Sequence, residues 1–585
     1  MQPIKLSPEQ QSILDSPARL KVVKAGPGAG KTRLFVAALQ RYREQLPRLG
    51  CGVAALSFTN VAQKEIADRL GGWRPPNFVG TIDSFLLRFV VHPFGHIVGL
   101  KKAGGRLIPA ALYSHFDNDV QVGQQNTLRA KLHDVQFVGV DSQSKPLLRA
   151  RTAYNSTDVH PSAYSGVLSA KRKAWRILGH FSHSDSHFLA NEILRHPEHG
   201  AAVVELVLRR FPFLLVDELQ DTQFFLGEAL VALFGSSSAK GMAVGDPDQA
   251  IYEFGGAHPT LFDRLANVPG AETLTLDKTH RCSKTVCKVA SQLSCRGATI
   301  QGESDLVDGR CLLFILQDAH NEVPISVASA VTGLCQEGDE IAILTRKTET
   351  AKALGGLRRA AEFPGKSKIP RRFHTAVLKL LGGDGATARR IVETDLAEMV
   401  FDVRVVTKEI LLTAKISPHD WRRAVGSTLL EAAAQISGET WAGWQTRTKA
   451  HLSKVFTALR CPTKIDILGQ KFQNSPVSAL AEVRDLHFQS TSAIQLPAGA
   501  VIKNIHEVKG TEYDLVAVYV PNSSKPSDCI SGQWWIANSE ERRIAFVAAS
   551  RSKRTLALIV HTATFNRLSS TRSDFLSCFE IVPIV

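Results

Sequence analysis

The chain has 585 residues, 44% of them hydrophobic, and a formal net charge of +15. That length predicts several domains, and the apolar fraction is that of packed cores rather than of a disordered chain. With no leader-like start, no apolar run near the ~20 residues a bilayer needs, and no CxxC pair among nine cysteines, the sequence reads as cytoplasmic with reduced thiols and no membrane partner; the basic surplus favours nucleic acid.

In chain order, LKVVK at 20–24 predicts a short strand and residues 31–45 a helix. Between them runs AGPGAGKT, residues 25–32, comprising Ala25, Gly26, Pro27, Gly28, Ala29, Gly30, Lys31 and Thr32. Glycines let the backbone wrap phosphate closely, and the helix N-terminus adds a positive dipole. Lys31 would reach the β- and γ-phosphates of ATP, and the Thr32 hydroxyl would ligate Mg2+. The strict pattern asks for glycine where Ala25 stands, so an ordinary glycine turn is the plainer alternative.

A phosphate loop needs an acid on a neighbouring strand. FLLVDELQDTQ at 213–223 delivers Asp217 and Glu218 at the end of an apolar run. Asp217 would hold magnesium, and Glu218 would polarise the attacking water. Lys31 and Asp217 stand much further apart than a compact core requires, which predicts an insertion at 92–190. A second insertion is predicted at 351–495, with amphipathic helices in TARRIVETDLAEMVFDVRVVTKEILLTA and a basic, loop-like PGKSKIPRRF. Its basic residues either touch duplex DNA or only solvate the surface. IAILT at 341–345 and LVAVYV at 515–520 read as strands on either side of it. His180, His183, His187, His196 and His199 cluster near the end of the first insertion; a polar connection back to the first domain fits them better than a metal site.

Further segments narrow the choice: SFTNVAQKEIADRL (57–70), VGTIDSF (79–85), VGDPDQAIYEFGGA (244–257), LDKTHRCS (276–283), NIHEVKGTEYD (504–514) and EERRIAFVAASRSK (540–553). With the two motifs above, they resemble the UvrD/Rep/PcrA type of superfamily 1 DNA helicase in kind and order. The resemblance implies an α/β fold of two RecA-like P-loop motor domains, each interrupted by an inserted, largely helical domain. The expected divisions are 1–91, 191–272, 273–350 and 496–585 for the motors, with 92–190 and 351–495 inserted. It implies ATP in the cleft between the motors, and 3′–5′ movement on single-stranded DNA or at single-strand/duplex junctions.

Matched residue by residue, Gln10 takes the adenine-reading place, Arg33 follows the P-loop, and Gln249 senses the γ-phosphate. Arg281 and Arg551 reach that phosphate from the second motor, and Glu512 lies near the ribose. Phe58, Tyr252 and Phe254 match positions that touch or stack on bases, and Thr81 and His506 match backbone contacts. Three departures stand out: Gly255 where the family has arginine, His280 where it has the adenine-stacking tyrosine, and Asn504 where it has threonine. NFVGTIDSFLLRFVVHPFG at 77–95 further resembles the helicase-like subunit of Gabija antiphage systems. That likeness implies an OLD-type nuclease subunit as partner; Gly255 favours a regulatory ATPase that gates such a nuclease as the alternative to an autonomous motor, which the full set of ATPase residues favours.

Overall fold

The computed structural model describes residues 4–47, 50–57, 75–101, 106–107, 119–124, 128–151, 156–251, 260–302, 309–316, 323–354, 368–381, 384–401, 406, 408–434, 441–461, 499–521, 534 and 539–583. Two six-stranded sheets organise it. The first contains β1 (Leu20–Ala25), β2 (Val53–Ser57), β3 (Phe78–Thr81), β4 (Phe213–Val216), β5 (Lys240–Gly245) and β6 (Ala271–Leu276), in the order β6-β1-β5-β4-β2-β3. Every pairing is parallel. The inner strands are covered on both faces, which is why β2 and β4 are buried along their whole length without alternation. Successive side chains go to opposite cores: Val22, Leu214 and Val216 to one, Val23, Phe213 and Leu215 to the other.

The second sheet contains β7 (Arg310–Leu316), β8 (Ile341–Thr345), β9 (Val501–Asn504), β10 (Tyr513–Val520), β11 (Ser552–His561) and β12 (Glu580–Pro583), ordered β9-β8-β10-β11-β7-β12 and again parallel. Leu556 and Leu558 face one core, Ala557 and Ile559 the other. β6 runs across the expected division at 272/273 as an edge strand of the first sheet, paired along its length with β1. The chain enters the second core with helix Lys284–Leu293.

Between β3 and β4 the described residues carry helices Pro161–Lys173 and His183–Leu194 together with a three-stranded antiparallel sheet over 135–158. Phe137 of that sheet stacks on Phe188, with ring centroids 4.1 Å apart, and both share one core with Leu214 and Val216. This insertion is therefore packed onto the first sheet. The second differs: helices Lys368–Leu381, Gly385–Val400, Pro418–Ala433 and Trp441–Ala458 enclose a core of their own around Phe373, Leu396, Trp421 and Trp444.

The basic stretch expected as a loop is corrected here. Its residues 368–373 begin helix Lys368–Leu381. Ile369, Phe373 and Val377 are buried at a helical spacing, and Pro370 is tolerated because it sits in the first turn. Arg372 pairs with Asp395 at 2.9 Å and Glu398 at 3.4 Å. Among the described residues no helix is long and apolar enough to cross a membrane.

Candidate active site

β1, β5 and β4 are neighbours, so their C-terminal ends bring three loops to one edge, where open parallel sheets bind ligands. The first loop follows β1. Ala25 still pairs with Leu276 in the sheet and is fully buried, so the residue that departs from the strict pattern occupies a strand position that needs no glycine. Gly28 and Gly30 have φ of +66° and +79°, where a side chain is strained. A Cβ on Gly28 would also strike Arg281 and Thr279. Lys31 and Thr32 open α2 (Lys31–Glu44), and the Lys31 amine folds back 3.3 Å from the Gly26 carbonyl. Arg33 is exposed. Gln10, on α1 (Pro8–Asp15), is fully buried and donates to the Ala29 carbonyl at 3.0 Å.

The second loop carries the acids. The Asp217 amide donates to Leu56 at 2.8 Å, and its carboxylate accepts the Glu218 amide at 2.9 Å. Glu218 adopts the left-handed conformation, φ 53°, which costs a non-glycine residue of order 1 kcal/mol or more. Burial pushes the Glu218 carboxyl up, but Lys31, Lys509, a hydrogen bond from Gln220, and Arg551 outweigh it and hold it below the usual range. Burial pushes Asp221 up to about 6 against the pull of Lys509.

The third loop follows β5. Asp246 is fully buried, and that burial pushes it up to about 6 while Lys31 opposes the rise. Gln249 donates to Asp246 at 2.6 Å.

The second sheet closes this edge. Arg551, 2% exposed, donates to the Gln249 side chain at 3.1 Å and to the Thr511 carbonyl at 3.2 Å. Burial lowers its pKa to about 10, helped by the nearby charge of Arg281, and it stays a cation at neutral pH. Arg281 pairs with Glu512 at 2.6 Å. The His280 amide donates to the Gly28 carbonyl at 3.0 Å.

Sequence reasoning missed the residues that tie the halves together. Lys509 holds both oxygens of Asp221 at 2.6 Å and the Gln249 carbonyl at 2.8 Å. Arg543 donates to the Ala250 carbonyl at 2.8 Å. All lie inside segments quoted above, Asp221 closing DELQD, Lys509 in EVKGTEYD and Arg543 in EERR, but those segments do not show which residues meet.

Of the nucleic-acid candidates, Phe58, Tyr252 and Phe254 lie outside the described residues, as does Gly255. Thr81 ends β3 beside Ser57 and caps helix Ile82–Leu86, accepting the Ser84 amide at 3.2 Å. His506 is half-buried, 3.2 Å from an Arg346 nitrogen. Burial pushes its pKa down, and the Arg346 charge adds to that, so it is neutral near pH 7. Asn504 caps the same turn, accepting the Glu507 amide at 3.1 Å; an asparagine serves there as well as a threonine.

The histidine group divides: His183 and His187 both reach Asp83, at 3.1 and 2.6 Å, while His196 and His199 stack on each other at 5.0 Å. Among the described residues, no three His, Cys, Asp or Glu side chains are grouped to hold a metal ion by themselves. Magnesium takes one or two carboxylates and completes its shell with phosphate and water; buried Asp217 and the Thr32 hydroxyl are oxygen donors of that kind.

Two six-stranded parallel sheets, with a glycine loop leaving one and a buried arginine reaching it from the other, are the architecture of paired RecA-like domains. Residues 6–269 match the UvrD/REP helicase N-terminal domain. The chain is similar to DNA helicase II of Escherichia coli (strain K12), 25% identical over 368 residues, covering 60% of this chain and 47% of the relative. It is similar to ATP-dependent DNA helicase Rep of the same organism, 28% over 310 residues, 50% and 43%, and to Gabija protein GajB of Bacillus cereus (strain VD045), 28% over 274 residues, 45% and 44%. The chain thus spans about half the length of these curated relatives. Over these lengths the chain is similar to UvrD-type helicases, with a Gabija protein among its relatives.

Proposed function

We propose that the chain is a DNA-stimulated ATPase that moves 3′–5′ along single-stranded DNA, with ATP held between the two sheets. The observation that carries this reading is Arg551: a buried cation from the second sheet reaches the Gln249 loop of the first. Charge that builds on the phosphoryl oxygens would meet Lys31 from one half and Arg281 and Arg551 from the other, so turnover needs a closed cleft and phosphate release favours opening. Glu218, held ionised, polarises the attacking water. Magnesium, when bound by Thr32 and Asp217, would neutralise charge shared by the β- and γ-phosphates. Gln10, Gly26, Pro27, Gly28, Ala29, Gly30, Arg33, His280 and Glu512 surround the nucleotide in this reading. Thr81 and His506, with Phe58, Tyr252 and Phe254, would line the strand.

Similarity to GajB favours a second reading: a DNA-sensing ATPase subunit that gates a partner nuclease of the OLD type in antiphage defence, with little unwinding of its own. ATP turnover by the isolated chain on oligothymidines of increasing length separates the two. The motor reading expects turnover to rise with length to a plateau. Turnover indifferent to length supports the regulatory subunit, and a folded chain with no ATP turnover at all overturns both.

A further inference from the structure

Helix His183–Leu194 sets His183 and His187 one turn apart on one face. Both rings meet a single carboxylate on helix Ile82–Leu86: His183 Nδ1 lies 3.1 Å from one oxygen of Asp83, and His187 Nε2 lies 2.6 Å from the other. The Ser186 hydroxyl adds a third contact at 3.4 Å. The His183 side chain is 57% exposed, while those of Asp83 and His187 are 24% and 13% exposed. One ring is thus presented outward by two groups held inside.

His183 borders two adjoining clefts. One, of about 210 Å³, is lined in part by Ser57, Thr81 and Gln223; the other, of about 110 Å³, is lined in part by Gln136 and Gln223. Ser57 and Thr81 are register partners at the C-terminal ends of β2 and β3, the ligand-binding edge of the sheet. β5 and β4 separate this place from the phosphate loop after β1, so it is not the nucleotide site.

The chemistry follows from which nitrogen is engaged. With Nδ1 committed to Asp83, neutral His183 offers only an acceptor at Nε2, and protonation turns that atom into a charged donor. The hydrogen bond to Asp83 raises the pKa of His183 more than burial lowers it. Burial pushes Asp83 up, yet the two imidazoles outweigh it and hold it ionised. The titratable groups facing His183 among the described residues are Asp83 from one helix and His187 from its own. Gln136 and Gln223 are neutral, and Asp185 is spent on Lys171 at 2.7 Å.

The geometry points to a phosphodiester-binding subsite in this cleft, with His183 Nε2 as the donor and Asp83 and His187 as positioning residues. The subsite rests on the single-strand reading above: it takes one phosphate of the strand on a chain of net charge +15, and its grip strengthens as pH falls through the histidine range.

The test is the anisotropy of a labelled oligothymidine, titrated with the full chain between about pH 5.5 and 8 at several salt concentrations. In the parent, affinity rises as pH falls. His183→Gln removes most of that rise and lowers the salt slope at acidic pH by about 0.7, one phosphate's worth for a single strand. Asp83→Asn moves the midpoint of the rise to lower pH, because the anion that favours imidazolium is gone. Thermal unfolding of each variant checks the fold. Strand binding whose pH and salt response survives His183→Gln overturns the subsite alone. Absence of strand binding by the parent at every pH overturns the single-strand reading, and the subsite with it.

Discussion

Glu218 shows how much one position is asked to do. It sits in a strained backbone conformation, φ 53°, with its carboxylate kept ionised by two lysines and an arginine. Glu218→Gln keeps shape and burial but cannot polarise water, so nucleotide binding should persist while steady-state hydrolysis falls by ~10²–10⁴; equilibrium binding and phosphate release measured side by side decide it. Arg551 differs, because its removal strips Gln249 of a buried partner. Arg551→Lys keeps the charge and loses the fork, and turnover should fall at least ~10²-fold with little loss of ATP binding. Acid should act through Asp221 and Asp246, both pushed up to about 6. Each is charged above that value and neutral below it, so hydrolysis should fall on acidification with a midpoint near 6, read from a pH profile of kcat. Glu218 itself stays ionised across that window.

Among the elements, the glycine turn after β1 and the helix that follows it were legible because the glycines answer a local backbone demand. Gly28 and Gly30 take positive φ, and Lys31 starts the helix. The basic residues and Pro370 give the first turn of helix Lys368–Leu381 the look of a loop. Its stripe of Ile369, Phe373 and Val377 was the better guide, since a buried face outweighs the look of a basic surface. Phe373 is fully buried in a core that excludes both sheets. Phe373→Ala should cost about 3–5 kcal/mol there. Thermal unfolding should then show an early transition from this insertion, while ATP binding by the remainder survives.

In the whole molecule, the two sheets meet through a few directed groups. Lys509 spans to Asp221 and to the Gln249 carbonyl, Arg551 reaches the Gln249 side chain, and Arg543 reaches the Ala250 carbonyl. With Arg296, which pairs with Asp248 at 3.2 Å, four cations of one half therefore hold the acid loop and the Gln249 loop of the other. Lys509→Met removes one of them and leaves the phosphate loop untouched. Nucleotide binding should change little, while the ratio of DNA-stimulated to unstimulated turnover should fall at least several-fold. An unchanged ratio would make Lys509 a structural tie without a part in coupling.

The two parallel sheets and the loops that leave their ends are legible in the residues alone. Runs such as FLLV at 213–216 and LVAVYV at 515–520 are apolar on both faces, and only a covered strand tolerates that. The glycine turn before helix Lys31–Glu44 is legible in the same way, because backbone demands there are local. The partners across the layers emerge only once the chain is folded. Nothing near Lys509 in sequence shows that Asp221 will stand 2.6 Å away, nor that His183 and His187 will share Asp83. Such pairs join elements far apart along the chain, and their distances depend on how layers stack. That stacking is fixed by the summed burial of whole faces, not by the few residues that later meet across them.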